Sequence, residues 1–210
     1  MESNSCLVYP KDVLAGGTWI ATSDKAVSVC LLNGGFVKHK RQLPYSKSRG
    51  KVLKERFDYS SNMVFIEKVD LDNVEPFTLL MIDHSEIIDF VELVWDGNQK
   101  YVKQIDANRH HIWASSTLYD QEQQMKRKQW FSTFLENKDF FKFSEIRNFH
   151  TGSYTDEKSN DLVMERAATK LKTVSVSQIN VTELEQSFFY LDTQSHQTKI
   201  INLKELWKTV

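Results

Sequence analysis

The chain has 210 residues, 40% apolar and 26% charged, the balance of an ordinary globular protein long enough to bury a core as one domain over 1–210. With 27 Lys plus Arg against 28 Asp plus Glu, no bulk field draws it to phosphate backbones or anionic membranes, so nucleic acid is not an expected partner. Lys38-His39-Lys40-Arg41 is only a local basic patch.

In chain order, Thr18 to Thr22 and Val27 to Leu32 read as two strands, with Ser23-Asp24-Lys25 as the turn between them. The second is almost wholly apolar, which predicts burial on both faces. A polar, basic loop follows Asn33-Gly34-Gly35 and runs through Pro44. Ser46 or Ser48 can then cap a helix whose buried side is Val52, Leu53 and Phe57. Ser60 to Val69 reads as a second helix.

From Phe77 the period changes. Phe77 to Asp83, Glu86 to Trp95 and Gln99 to Ile105 form an antiparallel meander, with Asp96-Gly97 as a hairpin turn because glycine tolerates positive φ. Ile112 to Ser115 is expected as a short strand. Asp120, with Gln123 three residues on, then opens a long helix through a capping box. Trp130, Phe131, Phe134 and Leu135 give that helix one broad apolar stripe. Asp139 to His150 is expected to be a further helix, and Gly152 to Asn160 a mobile polar loop. Lys172 to Val181, Ser187 to Leu191 and Lys199 to Leu203 complete the chain as strands. Segregated helices and mainly antiparallel strands indicate an α+β fold.

No stretch reaches the roughly twenty apolar residues of a membrane span. Met1-Glu2-Ser3-Asn4-Ser5 shows neither the basic nor the apolar region of a signal peptide. Cys6 and Cys30 cannot make a disulfide framework, so reduced thiols and a cytoplasmic setting are expected. His110 and His111 are adjacent, which on a strand points them apart, and no Cys–His spacing marks a metal site. No phosphate-binding loop or Gly-x-Ser-x-Gly elbow is present, and no cofactor is indicated.

Several residues can meet a small molecule. Asn33-Gly34-Gly35 closes a buried strand with an amide and exposed backbone N–H groups, which is either an oxyanion-type donor pair or a turn that needs positive φ. Trp19 follows two glycines, so its indole is either open to a ligand on one face or part of the core. Arg49 beside Gly50 can hold a carboxylate or phosphate, or simply a surface ion pair. Ser115-Ser116-Thr117 offers three hydroxyls that meet a substrate or cap a helix. Thr173, Ser175 and Ser177 would share one face of a strand, lining a polar cleft or facing solvent.

Taken in order, Ala15-Gly16-Gly17-Thr18-Trp19-Ile20-Ala21, Leu31-Leu32-Asn33-Gly34-Gly35 and Ser48-Arg49-Gly50 resemble the family named after its Asn-Arg-Asp-Glu motif, which includes the transport and Golgi organisation 2-like proteins. The likeness to bacterial members continues in Tyr9-Pro10-Lys11-Asp12, Glu92-Leu93-Val94-Trp95-Asp96-Gly97, Trp113-Ala114-Ser115-Ser116-Thr117-Leu118-Tyr119 and Lys172-Thr173-Val174-Ser175-Val176. That family is similar to N-terminal-nucleophile hydrolases, so the resemblance implies a four-layer αββα sandwich of mainly antiparallel sheets. In such enzymes the first residue of the mature chain is the nucleophile and its α-amino group the base. By resemblance Asn33 and Gly34 lie near the oxyanion position. Ser116 stands where related members carry Asn, and Lys172 where some carry Arg.

In that family a Met-Cys start and the Asn-Arg-Asp-Glu run lie upstream of the Gly-Gly-Thr-Trp motif. The fifteen or so residues before it here hold neither, so the sandwich is expected to lack its first strand and to expose a sheet edge for self-association. Cys6 would become N-terminal only through removal of Met1 to Ser5, and its spacing to Gly16-Gly17 leaves no room for that strand. Two readings result. One is a module binding a haem-type or acyl-lipid-type small molecule through Trp19, Asn33, Gly34, Arg49, Ser116, Lys172 and Ser175. The other is an amide hydrolase whose nucleophile segment is absent from the chain.

Overall fold

The structure, a computed structural model, describes residues 5–13, 16–136, 138 and 140–208. Met1 to Asn4, Ala15 and Asp139, on which parts of the sequence reading fall, lie outside these. The contacts divide into two compact units, Met1–Asp120 and Gln121–Val210.

The first unit contains β1 (Leu7–Val8), β2 (Ile20–Ser23), β3 (Val27–Asn33), α1 (Arg49–Glu55), α2 (Asn62–Lys68), β4 (Phe77–Asp83), β5 (Asp89–Trp95) and β6 (Lys100–Gln104). The strands form one antiparallel sheet in chain order, with both helices inserted between β3 and β4. Period-2 alternation sends Val29, Leu79, Met81 and Leu93 to the face covered by Val52, Leu53 and Phe65 of the helices. Cys30, Leu32, Leu80 and Phe90 point to the opposite face, where they meet Ile105 and Trp113. β3, expected to be buried on both faces, is so only over Val27 to Val29; Cys30, Leu31 and Leu32 are half-buried and Asn33 is exposed.

Local chemistry sets the boundaries. Ser48 Oγ accepts from Lys51 N at 3.3 Å and Ser61 Oγ from Val64 N at 3.2 Å, so each helix opens on a hydroxyl cap. At the β5–β6 turn, Asp96 Oδ1 accepts from Asn98 N and Gln99 N at 2.7 and 2.8 Å while Gly97 takes φ +102°. Lys100 Nζ donates to Ile66 O and Val69 O, at 2.7 and 2.6 Å, tying the end of α2 to β6.

Residues 112–115 are not a strand, contrary to the reading of Ile112 to Ser115. Trp113 Nε1 donates to Glu92 Oε2 at 2.5 Å and Ser115 Oγ to Asn33 O at 2.7 Å, so side chains, not a backbone ladder, hold this segment to the sheet.

The second unit contains α3 (Gln121–Leu135), α4 (Phe143–Thr151), β7 (Glu165–Arg166), β8 (Leu171–Lys172), β9 (Ser175–Val181), β10 (Gln186–Asp192), β11 (Thr198–Asn202) and α5 (Leu203–Trp207). α3 begins directly after Asp120, as expected. Its aromatic stripe is used: Phe131 and Phe134 lie 5.5 and 4.9 Å from Phe149 of α4, and Trp130 stacks on Tyr154 at 5.3 Å. The polar 152–160 segment is held by Asp161, which accepts from Ser153 Oγ at 2.6 Å and Tyr154 N at 3.1 Å.

The single strand expected from Lys172 to Val181 is broken. Thr173 N donates to Met164 O, and Thr173 Oγ1 accepts from Met164 N, which pulls this residue out of line with β9. The remaining sheet, β11-β10-β9, is antiparallel throughout.

Candidate functional site

In the first unit a cavity of about 800 Å³ opens beside the Asn33 end of β3. Three separated motifs build it. A Cβ on Gly50 would sit 2.9 Å from Thr18 N, and one on Gly17 3.2 Å from Gly50 Cα, so the Gly-Gly-Thr-Trp and Ser-Arg-Gly segments meet backbone to backbone. Only glycine permits that approach. The contact brings Trp19 and Arg49 onto the same cavity, where Leu31, Leu43 and Tyr45 complete the apolar part of its lining.

The polar part is weighted toward positive charge. Arg41, Lys47, Arg49 and Lys51 line it against Asp12 and Glu75. Glu75 gathers three partners: His39 Nε2 at 3.1 Å, Arg49 Nη2 at 3.4 Å and Arg41 Nε at 3.9 Å. Arg49 Nη1 also donates to Pro76 O at 3.3 Å. Burial lowers the Arg49 pKa from its ordinary value, with Glu75 opposing that shift, so the guanidinium is poorly hydrated and held in place by one carboxylate. Such a group is well suited to a second, incoming carboxylate.

Asn33 lines the cavity, and its carbonyl accepts from Ser115 Oγ at 2.7 Å. Gly34, at φ +88°, donates its N–H to Pro76 O at 3.0 Å. That bond removes Gly34 N–H from the expected oxyanion-type donors. A Cβ on Gly34 would stand 2.4 Å from Ser116 Oγ, so Ser116 packs on Gly34. Trp19, Asn33 and Arg49 thus share one cavity, whereas Gly34 and Ser116 pack on each other and do not line it.

Lys172 and Ser175 belong to the second unit. Lys172 is exposed and its Nζ donates to Gln194 Oε1, while Ser175 opens β9 opposite Asp192. The row of Thr173, Ser175 and Ser177 on one strand is lost at the Thr173 break. Sequence reasoning missed Glu75, Tyr45 and the part played by His39 and Arg41. The Lys38-His39-Lys40-Arg41 run was the available signal, and its partner Glu75 sits thirty-six residues from His39.

Neither cysteine is placed as a nucleophile. Burial pushes the Cys30 thiol up to about 11. Cys6 N donates to Asp24 Oδ1 at 3.1 Å, at the β2–β3 turn. The cavity lies at the far end of β3, roughly 20 Å away at the rise of a strand. Among the described residues, no group of three or more His, Cys, Asp or Glu could hold a metal ion, and no helix is long and apolar enough to cross a membrane.

The chain is mixed α+β with antiparallel sheets and is structurally like the N-terminal-nucleophile hydrolases. It is similar to a variant of the conjugated bile acid hydrolase from Clostridium perfringens, with TM-score 0.59 and 11% identity over 96% of this chain and 78% of that one. It is likewise similar to penicillin V acylase from Agrobacterium tumefaciens, with TM-score 0.56 and 8% identity over 97% of this chain and 71% of that one. The profile of the Transport and Golgi organisation 2 family matches residues 1–204, and the chain belongs to that family. No curated protein matches the sequence significantly.

Proposed function

We propose that the cavity of the first unit binds a small amphipathic molecule with acidic groups, of the haem or acyl-lipid type. The observation that carries this reading is the juxtaposition of an apolar wall, Trp19, Leu31 and Leu43, with a basic rim in which Arg49 is desolvated and aligned by Glu75. The ligand's apolar body lies on Trp19, and its carboxylate or phosphate meets Arg49 and Arg41. Isothermal titration of haemin and of palmitoyl-CoA tests this. Saturable binding of one of them is expected, and no saturable binding of either removes the proposal.

Amide hydrolysis is the second reading, favoured by the fold shared with a bile acid hydrolase and a penicillin acylase. The described lining argues against it as the work of these residues alone. Ser48 Oγ caps α1 and Ser46 Oγ donates to Asp72 O at 2.7 Å, so both hydroxyls already serve the backbone. In that reading the nucleophile comes from a segment outside the 210 residues. An in-frame Met-Cys followed by Asn-Arg-Asp-Glu in the coding DNA upstream of Met1 would favour hydrolysis, and an upstream stop codon would count against it.

A further inference from the structure

The second unit has a cavity of its own, about 480 Å³, between α4 and the β9–β10–β11 sheet. Phe141, Phe143, Phe189 and Ile200 supply its apolar lining, and Arg147 and Asn180 its central polar groups. Register explains the arrangement. Gln178, Phe189 and Ile200 stand side by side across the three strands, and Asn180 and Ser187 form the adjacent row on the same face.

Arg147, projecting from α4, lies over the Phe189 ring at 4.6 Å from its centroid. One of its N–H groups donates to Gln178 Oε1 at 3.0 Å, and among the described residues no other acceptor engages the guanidinium. Asn180 is 3% exposed. Its Nδ2 donates to Ser187 Oγ at 2.9 Å, and Ser187 Oγ donates onward to Glu185 Oε1 at 2.8 Å. That relay fixes the amide so that Oδ1, buried in the cavity wall, has no donor among the described residues. A buried carbonyl left so is costly, and a ligand N–H or O–H would satisfy it.

Lys142 and Arg147 outnumber Glu185 in the lining, so the cavity favours a negative ligand. We propose that it is a binding site for a small aromatic carboxylate bearing a ring hydroxyl or amine. The carboxylate lies on the open side of the Arg147 guanidinium, the ring lies against Phe141 and Phe189, and the ring substituent donates to Asn180 Oδ1.

The test is a titration of 4-hydroxyphenylacetate into the full chain, followed by 15N–1H NMR. Saturable shifts are expected at the amides of residues 141–147 and 178–189, and Arg147→Gln should weaken binding roughly tenfold or more. Two further probes need no variant. Phenylacetate lacks the donor and 4-hydroxyphenylacetamide lacks the charge, so each should bind the unaltered protein more weakly than the parent. Absence of saturable shifts in these segments, or equal affinity for all three probes, would overturn the proposal.

Discussion

Gly34 shows how one residue carries both local geometry and the shape of the site. Its φ of +88° and the 2.4 Å approach of Ser116 Oγ leave no room for a side chain. Gly34→Ala is expected to destabilise the protein by roughly 1–3 kcal/mol, read from a urea midpoint. Adding Ser116→Ala should recover only part, because the backbone strain persists and the added Cβ would still stand 2.7 Å from Thr117 Cγ2. Full recovery would mean that the Ser116 contact alone mattered. Cys30 gives a second handle. Its folded thiol keeps its proton up to about 11 against an ordinary value of 9.0, so the unfolded chain holds fewer protons between these values. Stability therefore falls as pH rises through that window. In Cys30→Val the decline should be shallower than in the unaltered protein, and superimposable pH–stability curves would contradict the assignment.

At the level of elements, the sequence was most legible where local chemistry and tertiary structure agree. Caps at Ser48 and Ser61, the Asp96-Gly97 turn and the alternation of Phe77 to Asp83 are each decided within a few residues, and each element formed where expected. Reading failed where distant side chains intervene. Residues 112–115 have strand-like composition, yet Ser115 and Trp113 spend their polar groups on Asn33 and Glu92. Thr173 is drawn off the β9 line by Met164, a partner no periodicity announces. β1 pairs only with Thr22 and Ser23, which leaves Ile20 and Ala21 of β2 without a strand neighbour on that side among the described residues. That stretch is closed from within the chain, because Thr18 Oγ1 donates to Ile20 O and accepts from Ile20 N while Ala21 is fully buried, so the exposed pairing edge expected from the sequence is not formed there.

Across the whole chain, the three motifs that first carry the family resemblance, around Gly17, Asn33 and Gly50, are also parts that assemble the cavity. Gly17 and Gly50 were legible as glycines in turns, but their mutual contact joins segments more than thirty residues apart and needed the fold to be seen. The same holds for Glu75, an unremarked acid in the sequence that becomes the hub for His39, Arg41 and Arg49. The central claim is that this hub aligns Arg49 for an acidic ligand. Its most direct test is the affinity of Arg49→Gln, relative to the unaltered protein, for whichever of haemin or palmitoyl-CoA binds. Loss of one charge-assisted contact predicts affinity roughly tenfold or more weaker with the fold intact. Equal affinity in the two proteins would contradict the central claim.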